Sequence, residues 1–272
     1  MPIGAFISLI KKSVDDLKKN LIVLVPDALQ LVLFVVCGYI ILKATGILNL
    51  LFELKKIDDP FQVRQLVSAN LSSFGVATII AVVVFFFISC FCTGMLFSMV
   101  KQVIVKKKSS LQEGLKGGAA FFWRIAAVKL VMALYVALVT FCGLILLVLL
   151  SFVGKIIGAI LGGLLIIVVY FFIIVAFFYR YPALFRHEKT GMQAMKDAFT
   201  FFKKDKKFVI VTAAIIYLMF TGVNILTQLL QSAFGQVVGV TVSVVLGIMI
   251  STWSALFLYH AYLESGKKSS KG

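Results

Sequence analysis

The chain has 272 residues, a formal net charge of +16 and a hydrophobic share of 61%, with a mean hydropathy of +1.07. A soluble domain of that composition would have too little polar surface to stay in solution, which excludes the ordinary globular classes. Such a charge points to nucleic acid only where a binding fold or an aromatic platform accompanies it, and neither does here.

In chain order, Ile3, Phe6, Ile7, Ile10, Val14 and Leu17 recur at helical spacing, with Lys11, Asp15, Lys18 and Lys19 largely on other faces. This amphipathic helix leads into the first of six apolar runs, at 21–42, 74–100, 125–150, 152–179, 208–230 and 237–263. A bilayer core about 30 Å thick takes roughly 20 helical residues, so every run is long enough to cross. In lipid each backbone polar group must bond within its own segment, so the runs are helices. The predicted fold class is all-α: one polytopic six-helix membrane domain over residues 1–265, then a disordered Lys/Ser-rich tail over 266–272. No cleavable signal peptide is visible, and the first span reads as an uncleaved anchor.

Between the first two spans lies an extracytoplasmic insert, 43–73. Within it Ile47, Leu50, Leu51 and Leu54 share one face of a short helix. Asp59-Pro60 is a cap and first-turn pair for a second, with Val63, Leu66 and Val67 on one side. The insert either lies on the outer leaflet or caps the bundle. Amphipathic patterns recur before the third span (Leu111, Leu115, Ala119, Phe122) and before the fifth (Met192, Met195, Phe199, Phe202), with Ser110 and Thr190 as N-caps. Overlaid, Ile10-Lys11, Leu115-Lys116 and Met195-Lys196 coincide, and Lys18-Lys19 falls on Lys203-Lys204. Three parallel units result, about 3–100, 110–179 and 190–263, each an interfacial helix followed by a hairpin of spans.

The basic residues fall on one side of this layout, which holds 21 of the 27. The positive-inside rule then places both termini in the cytoplasm of a cell-membrane protein. Lys18, Lys19, Lys106, Lys107, Lys108, Lys203, Lys204, Lys206 and Lys207 form a collar suited to anionic headgroups, each charge contributing about 1 kcal/mol.

The stretch Arg180-Tyr181-Pro182-Ala183-Leu184-Phe185, Thr190 to Lys196 and Phe199 to Lys204 resembles the membrane domain associated with glycerophosphoryl diester phosphodiesterases and related six-span prokaryotic proteins. There a Pro-containing span exit is followed by an acidic residue, Gly, an Ala-Leu amphipathic helix and the next span. Pro182, Glu188, Gly191 and Ala194-Met195 occupy those places. The resemblance implies the fold and a membrane location. The soluble catalytic barrel of the two-domain proteins has no counterpart in this sequence, so hydrolysis is not implied.

Four polar residues stand inside the spans. Asp27 and Lys129 lie at similar depth and could face each other as a structural pair or a proton or ion relay. Asn224 and Gln228, one turn apart, are packing glue or a substrate lining. Gly154, Gly158 and Gly162, and Gly235, Gly239, Ser243, Gly247 and Ser251, form small-residue ridges for close helix packing, within the bundle or in a homo-oligomer. Cys37, Cys90, Cys92 and Cys142 all fall within spans, and neither His187 nor His260 has a metal-ligand companion at helical spacing. No hydrolase or transferase motif occurs, so no catalytic residue, metal or cofactor is expected. The leading expectation is a non-enzymatic protein that organises lipids or binds membrane partners. The alternative is a small transporter or channel with an intramembrane polar path.

Overall fold

The computed structural model describes residues 3–152 and 155–268, and every regular element in them is helical. The elements are α1 (Ile3–Lys19), a 3-10 turn (Leu21–Leu24), α2 (Val25–Ala44), α3 (Ile47–Leu54), α4 (Pro60–Ala69), α5 (Leu71–Lys106) and α6 (Leu111–Ser151). Then follow α7 (Lys155–Ala176), α8 (Arg180–His187), α9 (Gly191–Lys204), α10 (Lys206–Phe234) and α11 (Gln236–Lys268). Six segments are long and apolar enough to cross a membrane: Leu21–Ala44, Leu71–Lys106, Leu111–Leu149, Gly162–Arg186, Lys206–Phe234 and Gln236–Ser265. The protein is an all-α polytopic membrane protein. Helix α11 runs three residues into the stretch expected to be a disordered tail, and 269–272 lie outside the described residues.

Two of the three expected units break between amphipathic helix and span and the other does not, a difference that the sequence explains. In the overlay Asn20, Ile125 and Asp205 are equivalent. Asn20 has φ −135° and ψ 56°, and Asp205 has φ −138° and ψ 62°. Both break the chain between amphipathic helix and span, the Asp205 carboxylate accepting the Phe208 N–H at 3.2 Å. Short polar side chains favour such a break because they bond nearby backbone. Ile125 cannot, is fully buried, and the helix runs straight through it. The interfacial helix expected before the third span is therefore the first part of the 41-residue α6, about 60 Å long and about twice the hydrocarbon thickness.

The turns entering the second and third units also match. Lys107 (φ 62°) and Glu188 (φ 50°) adopt left-handed backbone, and Ser110 and Thr190 then cap α6 and α9 by accepting the N–H of Glu113 at 3.3 Å and of Gln193 at 3.4 Å. Pro182 has no N–H to continue α7, so the chain breaks at 177–179 and restarts as α8. Pro26 starts α2 after the 3-10 turn in the same way.

The main core lies at the end of the molecule where α1 and the close of α11 meet, here termed the basic end. There Met95, Met99, Val103, Ile125, Tyr179, Leu184, Phe185, Val209, Leu256 and Phe257 are buried together. Helix α1 adds Phe6, Leu9 and Leu17 to this core, worth roughly 1.5–3 kcal/mol per side chain drawn from water. The hairpins α2/α5, α6/α7 and α10/α11 each pair internally, α5 and α6 join the first two, and toward the opposite end most span residues are exposed. A second, small cluster forms there where Ile47 of α3 meets Ile41 and Ala77. Helix α3 thus caps the outer ends of α2 and α5, whereas α4, capped by Asp59 as expected, buries no residue.

Candidate functional site

At the basic end all nine collar lysines are exposed. Lys106 meets Glu113 at 3.2 Å, and Lys107 lies 3.9 Å from Asp16. Lys203 sits 4.7 Å from the centre of the Phe199 ring. Helix α9 shows how these charges are held. Its inner face, Gly191, Ala194, Met195, Ala198 and Phe202, is buried against α6, α7 and α8. Its outer face presents Met192, Lys196, Phe199 and Lys203 to the surroundings. Apolar side chains alternating with lysines suit the boundary between acyl chains and headgroups. On α6, Trp123 is 74% exposed one residue before Arg124, as an interfacial aromatic would be. Leu111 and Leu115 are exposed rather than packed into the bundle.

The 180–204 stretch is a clamp. Lys101 donates to the Glu188 carboxylate at 2.9 Å, and the Arg124 guanidinium donates to the Glu188 carbonyl at 2.6 Å. The Lys101 hydrogen bond, then its charge, holds the Glu188 carboxyl below the usual glutamate range. Gly191 lies so close to α6 that an added Cβ would stand 2.7 Å from the Arg124 carbonyl oxygen. Pro182, Ala194 and Met195 are buried. Glu188 and Gly191 thus fix the joint between α5, α6 and the start of α9. Beside it, Ser98, Lys101, Gln102, Lys116, Phe121 and Glu188 help line a cavity of about 280 Å³.

A buried clasp ties α1 to α11: the His260 ring Nε2 lies 2.8 Å from an Asp16 carboxylate oxygen, with both groups nearly inaccessible. The overlay places Asp16 on Phe121, which stacks on Phe185, and on Phe201, which meets Tyr262 at a tilt. A carboxylate thus replaces an aromatic ring in the first unit. No spacing along the sequence points from His260 to this partner, which is 244 positions away.

The intramembrane residues do not converge. Helix α5 packs between α2 and α6, so Asp27 and Lys129 do not pair. Lys129 instead donates to Ser89 at 2.5 Å and Thr93 at 3.1 Å, two hydroxyls one turn apart on α5. Asp27 lies in the first turn of α2, where the helix dipole favours an anion, and accepts the Thr252 hydroxyl at 2.9 Å. Asn224 and Gln228 are exposed on the outside of α10.

The small-residue ridges divide in the same way. Gly162 approaches Leu147, and an added Cβ on Gly239 would collide with Gln231, so these two pack within hairpins. Gly235, at φ 88°, makes the turn between α10 and α11. Gly154 lies outside the described residues, as do the surroundings of Gly158. Ser243, Gly247 and Ser251 do not form a close helix-packing ridge, and Ser251 bonds to Asp27 of α2. They line a cavity of about 360 Å³ between α2 and α11, together with Asp27, Gln30, Leu31, Phe34, Val244 and Ile248. An added Cβ on Gly247 meets nothing within 4 Å. Gln30 had not been singled out, although its i, i+3 spacing from Asp27 already put both on one helix face.

No family model matches the chain, and no curated protein or solved structure matches it either.

Proposed function

We propose that this is a non-enzymatic integral protein of the cell membrane that organises lipids or binds membrane partners through its basic face. That face and both termini then lie in the cytoplasm, where anionic headgroups are plentiful. On the same reading the chain is related to the phosphodiesterase-associated membrane domain, with the basic face as its working part. The supporting observation is the outer face of α9, where exposed Met192 and Phe199 alternate with Lys196 and Lys203 while the inner face is filled. The test is thermal stability in nanodiscs of phosphatidylcholine with and without phosphatidylglycerol. Anionic lipid should raise the midpoint of the wild type. Reversing Lys203, Lys204, Lys206 and Lys207 to Glu should abolish the gain, at roughly 1 kcal/mol per lysine. An equal gain in the variant would remove the proposal's basis.

A transporter or channel using Asp27, Lys129, Asn224 and Gln228 as one path has less support. The first two are separated by α5, and the last two face outward from α10.

A further inference from the structure

The cleft between α2 and α11 carries an inference that does not rest on the basic face. The Asp27 carboxylate accepts the Thr252 hydroxyl through Oδ2 at 2.9 Å and is also hydrogen-bonded by Ser251. Among the described residues it makes no ion pair, and Lys129, the cation expected to face it, is held by hydroxyls on α5. Gln30 and Ser243 face the same cavity, and their side chains make no hydrogen bond among the described residues. Unpaired polar groups and an uncompensated carboxylate are costly where no water is at hand. The cavity therefore offers a negative charge and several acceptors that nothing on the chain fills.

Its shape says how a ligand would enter. Pro26 and Thr252, the chain neighbours of the lining residues Asp27 and Ser251, are buried. Its lining residues Leu31 and Val244 are each 36% exposed, so it opens sideways, to acyl chains. A ligand arriving by that route is an amphiphile, with its head among the polar groups and its tail against Leu31, Phe34 and Val244.

We propose that the cleft binds the protonated primary amine headgroup of a membrane amphiphile. An ammonium carries three N–H donors and no acceptor. Those donors suit the remaining lone pairs of the Asp27 carboxylate, the Gln30 carbonyl and the Ser243 hydroxyl, and its charge neutralises the carboxylate.

The test is equilibrium binding of radiolabelled octadecylamine to the full chain in neutral maltoside micelles. One saturable site is expected. Octadecyltrimethylammonium, with the same charge and no N–H, should bind at least tenfold more weakly, as loss of charge-assisted hydrogen bonds requires. Soluble ethanolamine should not compete. Asp27→Asn keeps an acceptor for Thr252 and should lose at least tenfold in affinity. Gly247→Leu should fill the cleft and block binding while leaving Asp27 in place. Reversal of the four α9–α10 lysines should change nothing, which separates this site from the basic-face proposal. Wild-type affinity in both Asp27→Asn and Gly247→Leu would overturn the site, and competition by ethanolamine would overturn its assignment to an amphiphile.

Discussion

At single positions, the same residue type does opposite work depending on what faces it. Gly191 touches the backbone of α6, and Gly247 faces an open cleft. Gly191→Ala is expected to cost about 1–3 kcal/mol through overpacking. Gly247→Ala should be neutral or stabilising by up to about 1 kcal/mol through helix propensity. Thermal unfolding of the two variants in one detergent checks the contrast. Glu188 combines left-handed backbone with the Lys101 contact. Glu188→Gly gives up an exposed ion pair of small worth and relieves the backbone, so it should be close to neutral. Glu188→Val should be clearly destabilising. Because the Glu188 carboxyl is held below the usual glutamate range, its tie to Lys101 is fully present above that range. It is lost as pH falls through the lowered value. Acid titration followed by amide exchange around residues 188–191 should show local loosening in the wild type. In Glu188→Gln, which has no carboxylate to titrate, that acid-dependent change should be absent.

Among elements, α1 is the piece most open to test. It is joined to the bundle by an apolar face and by the Asp16–His260 clasp. Removing either partner leaves the other buried without its bond, at a cost of about 1–3 kcal/mol. Asp16→Ala and His260→Ala should therefore make α1 more sensitive to trypsin at Lys11, Lys12, Lys18 and Lys19, with the six spans intact. Equal cleavage rates in wild type and variants would show that the apolar face alone holds α1. This clasp also marks where sequence reasoning stopped. The amphipathic helices, the Asp59-Pro60 start and the Ser110 and Thr190 caps were legible because each depends on a few adjacent residues. The overlay held the reason why the second unit fuses, an Ile at 125 where the others have Asn20 and Asp205, although the fusion was not drawn from it. Depth in the membrane was legible for Asp27 and Lys129, but not the angular position of their helices, so α5 between them could not be foreseen. Likewise the Ser243, Gly247 and Ser251 face was visible as a stripe, but not that it borders a cavity. Tertiary pairing settles all three, and no local pattern encodes it.

For the whole molecule, packing is concentrated at the basic end, while toward the other most span residues are exposed. Lipid is as apolar as the helix surfaces, so burial drives little association between hairpins in the membrane. The basic end, with its amphipathic helices, is where transfer out of water can contribute. On the proposed topology both termini face the cytoplasm, and tags at either end should be labelled only after the cell membrane is permeabilised. The most direct measurement is native mass spectrometry of the protein gently extracted from its own membrane. Retention of anionic lipids, lost when Lys203, Lys204, Lys206 and Lys207 are reversed, is the expected result. A wild-type chain that keeps no anionic lipid, or keeps as much after reversal, would contradict lipid handling by the basic face.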